Sequence, residues 1–473
     1  MNHNTWAKTK DKLDTVGCGM CAAKWTQVTV HLQNGGTHSC HHPGIHKIPL
    51  DELENNPSAL HNTKFKKLRR KEMLEGERPE ECNFCWNVED NSNQYSDRVY
   101  KSSEPWSYGY IDQIKEKNWD EDWNPQYMEV AWSNACNFKC SYCAPAFSTP
   151  WLEEIQKHGP YPTSTNFNSL EVLKDMEQFP LDVKGPNPYR DAFWKWWPEL
   201  YKDLRVFRMT GGEPLLAQDT WNVLDFIANT DSPNRQLSLS VNTNLGVSDR
   251  LVDKFISYIQ KIEQENRVAE LIIYTSVDTW GDQAEYIRHG LEFNRFWDNV
   301  NKVLTKCSRS QFSFMVTYNA LSVPNFHKLI KGVYDLKKEY YSMDRWWPPA
   351  VTLDAPYLRW PWHQSIKVLP KDPWLEKVRQ DVGLMDFYSE KQFVVPSEIN
   401  KKKFCEANGY WPHEIQKMMR NYDWMKSSTP EEELVRNRKD FYKFFKEHDR
   451  RRGTSFVDTF PELETFYNYC KEL

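Results

Sequence analysis

The chain has 473 residues and a formal net charge of -5, with charges of both signs interspersed. It is too long for one ordinary core, so two or three packed units are expected. It also lacks the electrostatic footprint of a dedicated nucleic-acid binder or a polybasic membrane protein.

No apolar run approaches bilayer length, and the polar start MNHNTWAKTKDKLD resembles neither a signal nor a transit peptide. A cytoplasmic, reducing location is expected. There, eleven cysteines in CxxC-type clusters read as metal ligands rather than disulfides.

Residues from about Gly17 to Asp90 hold Cys18, Cys21, Cys40, Cys82 and Cys85. The order is Cys21, a glycine-bearing hairpin at Gly35–Gly36, Cys40, a helical stretch and then Cys82-x2-Cys85. Four thiolates arranged so close a tetrahedral zinc site or a cubane cluster. Cys18 is an alternative to Cys21. His38, His41 and His42 leave mixed zinc ligation open, their simplest reading being polar surface residues. The basic run KFKKLRRK, Lys64 to Lys71, precedes an acidic stretch and reads as a solvated helix face.

From Tyr127 onward, apolar runs alternate with helical ones, the mark of a parallel α/β sheet. The expected strands are YMEVAW, RVFRMT, LSLSVNT, LIIYTSVD, FSFMVTYN and AVTLDAPY. Helical patterns separate most of them: DAFWKWWPELYKDL, DRLVDKFISYIQKIEQEN, NRFWDNVNKVLTK and FHKLIKGVYDLKKEYY. Six strands with crossovers predict an incomplete (β/α)6 barrel, its first crossover (about Ala144 to Leu204) enlarged by an insertion. The aromatic groups at Trp194–Trp197 and Arg345–Pro349 read as core and seam filling, although a cavity lining is the alternative. After about Trp360 the strand rhythm stops. The tail contains NRKDFYKFFKEHDRRRG, a charged amphipathic helix with a glycine stop. The expected division is 1–125, a cysteine-rich unit; 126–360, the barrel; and 361–473, a mainly helical extension. Cys307, Cys405 and Cys470 stand alone and read as plain core or surface residues.

The stretch SNACNFKCSYCAPAF follows the first barrel strand and places Cys136, Cys140 and Cys143 within eight residues. Three soft thiolates satisfy three irons of a [4Fe–4S] cubane and leave the fourth iron for another ligand. A purely structural zinc would want four protein ligands. Loops at strand C-terminal ends are also where barrel active sites assemble.

C-x3-C-x2-C with Tyr142 before the last cysteine resembles the signature of the radical S-adenosylmethionine (radical SAM) superfamily. The resemblance covers about Tyr127 to Tyr357. Gly211, Gly212, Glu213 and Pro214 resemble the family's GGEP, which meets the SAM amino group. Asn242, Thr243 and Asn244 stand in the place of its TNG, and Ser276 and Asp278 in that of its ribose-side residues. Arg288, in YIRHG, is the candidate carboxylate partner. The resemblance implies that the unique iron chelates SAM and that one electron releases a 5′-deoxyadenosyl radical, which abstracts hydrogen from substrate. It also implies oxygen sensitivity and a flavodoxin or ferredoxin reductant.

The N-terminal cysteines, with the step from Gly35 to Cys40 and the run from Leu68 to Cys85, resemble the SPASM or twitch auxiliary-cluster module. In most such enzymes that module follows the barrel, whereas here it precedes it. The resemblance implies a second [4Fe–4S] cluster on Cys21, Cys40, Cys82 and Cys85, zinc being the alternative. The substrate expected is a peptide or protein side chain. The alternatives are the same chemistry on a sugar, aminocyclitol or nucleotide, and a non-catalytic iron–sulfur scaffold or redox sensor.

Overall fold

A computed structural model describes residues 3–341, 349–390 and 409–473. Cys405 and most of the RWWPP run lie outside the described residues.

The architecture is mixed α/β around a nine-stranded sheet. The strands are β1 (Gln27–His31), β2 (Gly36–His38), β3 (His46–Lys47), β4 (Tyr127–Ala131), β5 (Lys139–Cys140), β6 (Val206–Thr210), β7 (Ser238–Thr243), β8 (Glu270–Ser276), β9 (Arg288–His289), β10 (Gln311–Met315) and β11 (Val351–Asp354). The large sheet has the order β11-β10-β8-β7-β6-β4-β1-β2-β3, and β5 and β9 form a separate pair. All six strands expected from the apolar runs are present, and each pairs in parallel with the next. Parallel pairing needs crossovers, which the helices Pro188–Asp203, Gln218–Asn229, Asp249–Gln264, Phe293–Lys306 and Phe326–Glu339 supply.

One face of the sheet is buried and mainly apolar, with Thr243 and Thr275 toward the ends of β7 and β8. In β4, Met128 and Val130 are buried while Tyr127 and Glu129 are half-buried, the period-2 pattern of a strand with two unlike faces. β8 alternates in the same way from Glu270 to Ser276. Trp196 and Trp197 join the core beneath, and Trp196 with Lys195 also borders a surface cleft shared with Tyr110 and Trp123, so the aromatic run at 194–197 does both. The crossover insertion is more ordered than its Pro and Gly content suggests, holding the helices Thr149–His158 and Leu170–Asp175 ahead of Pro188–Asp203.

The expected boundary at residue 125 cuts through a continuous sheet. β1 pairs in parallel with β4 from Gln27↔Tyr127 to His31↔Ala131, so the N-terminal hairpin extends the main sheet. The hairpin itself is the expected one: β1 and β2 pair antiparallel across Gly35, whose φ of 71° favours glycine. The N-terminal unit keeps a small core of its own, built from Leu13, Met20, Trp25, Met73, Trp86, Ile111 and neighbours.

The basic run departs from a solvated face. The helix Lys64–Leu74 buries Lys66 and Arg70, four residues apart on one side. Arg70 donates to Asn62 Oδ1 at 2.8 Å and meets His61 Nε2 at 2.9 Å, and Lys66 Nζ donates to Thr37 Oγ1 at 3.2 Å. Burial, with Arg70 nearby, holds the Lys66 ammonium well below its usual range. These charges tie the helix to the β2 hairpin.

The tail is helical, as expected. Its main helix, Glu431–Arg452, ends at Gly453, whose φ of 66° is the left-handed stop the sequence announces.

Candidate functional site

β4 ends at Ala131, and the chain turns directly into the loop that carries Cys136, Cys140 and Cys143. All three thiols are free and half-buried. The loop is fixed from several sides. Cys140 lies in β5, which pairs antiparallel with β9 through Lys139↔His289 and Cys140↔Arg288. The Trp151 indole donates to the Cys140 carbonyl at 2.8 Å, and Asn168 donates to that of Cys143 at 2.9 Å. Ser141 exchanges two hydrogen bonds with Gln364, at 2.7 and 3.0 Å.

Burial raises the Cys136 thiol, and Cys140 raises it further. Burial and then Cys140 push Cys143 up to about 12. Cys140 is also raised by burial, against the lowering pull of Arg288, whose Nη1 lies 3.6 Å from its sulfur. Buried thiols, two of them raised further by Cys140, would be relieved as thiolates by a cationic core, which fits a cubane with one thiolate on each of three irons. Among the described residues, no three His, Cys, Asp or Glu side chains are drawn together at metal-ligating geometry.

The double glycine of the neighbouring strand has a structural cause. Gly212 N donates to Ser133 O at 2.9 Å and Glu213 N to Ala135 O at 2.7 Å, so this turn lies directly on the cysteine loop. A Cβ on Gly212 would stand 2.2 Å from Ala135 O, and Gly211 has φ of 121°. The close approach is therefore to the loop backbone, beyond the ligand approach expected from the sequence. Pro214 opens the short turn Pro214–Leu216 that follows.

Glu213 is buried, and its carboxylate accepts from Thr243 Oγ1 at 2.7 Å, Asn244 N at 2.7 Å and Leu215 N at 3.0 Å. Burial raises it to about 7 against these donors. Glu213 and Thr243 thus join the ends of β6 and β7. Asn244 Nδ2 reaches the cysteine loop at Asn137 Oδ1, 2.9 Å away, while Asn242 Oδ1 accepts from Arg208 at 3.0 Å. Ser276 ends β8, half-buried.

Tyr142, Asp278 and Arg288 interlock behind Cys140. Tyr142 Oη donates to Asp278 Oδ2 at 2.8 Å and accepts from Arg288 Nη2 at 2.7 Å, while Arg288 Nε lies 2.9 Å from Asp278 Oδ2. Arg288 is therefore engaged inside the protein by Asp278 rather than left free for a ligand carboxylate. Hydrogen bonds tie Tyr142, Asp278 and Arg288 to one another and Asn244 and the Gly212–Glu213 turn to the cysteine loop, while Asn242 and Ser276 stand at the neighbouring strand ends. Gln364, Trp151 and Arg452 also hold the cysteine loop and were not foreseen; only the RRRG helix end offered a signal, and for Gln364 the sequence offers none.

The second cysteine set also converges. Cys21, Cys40, Cys82 and Cys85 line one cavity with Lys24, His42, Trp86, Asp97 and Arg98, while Cys18 is exposed and turned toward Gly76 O. Burial lifts Cys40 to about 11 and Cys82 and Cys85 to about 12, each also raised by other members of the set. Lys24, ion-paired with Glu81, opposes that rise at Cys82. The histidines divide. His38 is buried with its Nδ1 at the Cys40 carbonyl, His42 donates to Asp97 at 2.8 Å, and His41 is exposed. The surface reading holds for His41 alone.

The chain thus offers three thiols in one loop, braced by a double-glycine turn on the adjoining parallel strand. A GTP 3′,8-cyclase of Corynebacterium glutamicum (strain R) is 27% identical to it over 129 residues, 26% of this chain and 26% of the cyclase. The chain thus spans about a quarter of the curated relative it matches. No family profile matches the chain. A solved structure, native anSMEcpe with bound AdoMet, aligns with a TM-score of 0.33 at 17% identity over 56% of this chain and 60% of that one, too loosely to bear on the argument. Among the described residues, no helix is long and apolar enough to cross a membrane.

Proposed function

We propose that the protein uses SAM to start radical chemistry on a peptide or protein side chain, with Cys136, Cys140 and Cys143 holding the [4Fe–4S] cluster at which SAM binds. When bound, such a cluster supplies the electron that splits SAM into methionine and the 5′-deoxyadenosyl group that takes hydrogen from substrate. The observation behind the reading is the three-thiol loop, braced by Gly211–Gly212 at the C-terminal ends of consecutive parallel strands. That strand order is the one a six-stranded partial barrel requires.

The remaining assignments follow from the chain's own groups. Ser276 and the Asn242–Asn244 turn border the place where SAM would lie, and Glu213 keeps those strand ends in register. Cys21, Cys40, Cys82 and Cys85 would hold an auxiliary cluster, since four thiols around one cavity satisfy a closed site. A low-potential flavodoxin or ferredoxin would deliver the electron.

Charge matching supports a peptide. On the half-buried face of the sheet, Arg208 lies 3.8 Å from Glu129 and 4.6 Å over Tyr274, and Asp354 of β11 pairs at 2.7 Å with Lys417 of the helix Pro412–Lys426. Each of these cations has a carboxylate partner, whereas a polyphosphate would call for unpaired positive charge. The similarity to a GTP cyclase favours the second reading, a small-molecule substrate. Anaerobic reconstitution followed by mass-spectral comparison separates the two. Products that require SAM and reductant and carry a peptide mass support the first reading; products formed only from nucleotides or sugars overturn it.

A further inference from the structure

The helix Glu431–Arg452 of the C-terminal extension reaches the cysteine loop through its last side chain. Arg452 is the last residue of that helix, and its side chain is wholly buried. Its Nη1 donates to the carbonyl of Lys139, the residue before Cys140, at 2.7 Å. Its guanidinium lies 4.7 Å over the ring of Trp151, the same residue whose indole holds the Cys140 carbonyl. Glu154 completes the group, pairing with Arg452 Nε at 3.3 Å and with Lys139 Nζ at 2.7 Å.

A few residues earlier on that helix, Asp449 accepts from Tyr286 Oη at 2.7 Å, just ahead of β9. Asp449 also accepts from Thr454 Oγ1 at 2.7 Å and Phe456 N at 2.8 Å, which fixes the chain beyond Gly453. The end of the helix therefore grips β5 and the segment leading into β9, the strand pair that presents Cys140.

We infer that Arg452 is a positioning residue of the cofactor site: its buried charge, balanced by Glu154 and delivered by the C-terminal extension, fixes the Cys140 strand and sets how readily a cluster held there accepts an electron. This deepens the proposed function and rests on its cluster assignment. The physical basis is that charge and hydrogen bonding near the thiolates, in a site of low dielectric, shift a cluster's reduction potential. Arginine suits the place because its rigid fork serves the carbonyl and the carboxylate together while its face stacks on an indole.

The test is a redox titration, followed by electron paramagnetic resonance, of the signal that changes when SAM is added to the full-length reconstituted protein. Arg452→Gln removes a positive charge and is expected to move the midpoint to more negative potential. Glu154→Gln removes the opposing charge and is expected to move it the other way. Arg452→Lys keeps the charge and is expected to stay near wild type while losing iron several-fold faster to a chelator. Opposite signs cannot come from general loosening of the fold. If Arg452→Gln does not fold, the sign for Glu154→Gln still decides the matter. Unchanged midpoints, or shifts of the same sign, overturn the inference. A wild-type protein with no SAM-responsive signal would instead overturn the cluster assignment itself.

Discussion

Asp278 and Arg288, ten residues apart, form an ion pair of 2.9 Å whose side chains are 0% and 7% exposed, and the guanidinium lies against the Cys140 sulfur. Two strand-end loops are thereby locked behind one thiol. Removing one partner of a buried pair leaves the other charge uncompensated, at a cost of about 3–5 kcal/mol. Asp278 also accepts from Thr317 N at 2.9 Å. Asp278→Asn is expected to lower stability by roughly that amount, measured by urea denaturation. Wild-type stability in this variant would show that the pair contributes nothing net.

Gly212 faces the Ala135 carbonyl so closely that no side chain fits. Gly212→Ala must push the β6 turn away from the cysteine loop, and overpacking of this kind costs about 1–3 kcal/mol. The variant is expected to fold with reduced stability and weakened SAM binding, read by calorimetric titration with SAM. Unaltered binding would mean that the loop and the turn move independently.

The N-terminal cavity separates Cys18 from its neighbours. Cys18→Ser is expected to leave iron and sulfide content unchanged after reconstitution, while Cys82→Ser or Cys85→Ser lowers both. Equal loss in all three variants would put Cys18 among the ligands.

Asp381, on the helix Lys371–Glu390, offers a pH test away from any cysteine. It is buried, neither oxygen has a hydrogen-bond partner among the described residues, and burial raises it to about 7, with Lys377 opposing. A carboxyl raised in the folded state contributes stability in full below its unfolded value, near 3.8, and loses that contribution as pH climbs through about 7. Asp381→Asn should therefore stabilise the protein more at pH 8 than at pH 5, by at most about 1.4 kcal/mol for every tenfold change in the carboxyl's proton affinity. Denaturation curves at the two pH values check this, and an equal effect at both would contradict it.

The six parallel strands and the cysteine loop were legible because both signals are local. Runs such as LSLSVNT and LIIYTSVD carry β-branched and aliphatic residues at strand spacing, and three cysteines within eight residues need no long-range partner to be noticed. The join between β1 and β4 was not legible, because a parallel pair spanning 100 residues leaves no mark at either strand. The burial of Lys66 and Arg70 depended on His61 and Asn62, from a loop, and on Thr37 of β2, polar partners whose positions a helical pattern does not encode. Arg452 was hidden for a related reason. Among the arginines of RRRG, Arg450 stays exposed while Arg452 turns inward, a difference set by where the helix docks.

The most direct test of the account is the formation of 5′-deoxyadenosine from SAM and a low-potential reductant, comparing the anaerobically reconstituted wild type with Cys140→Ala. The wild type is expected to form it and the variant to form none. Equal formation by the variant would contradict the assignment of that thiol, and with it the reading of the loop.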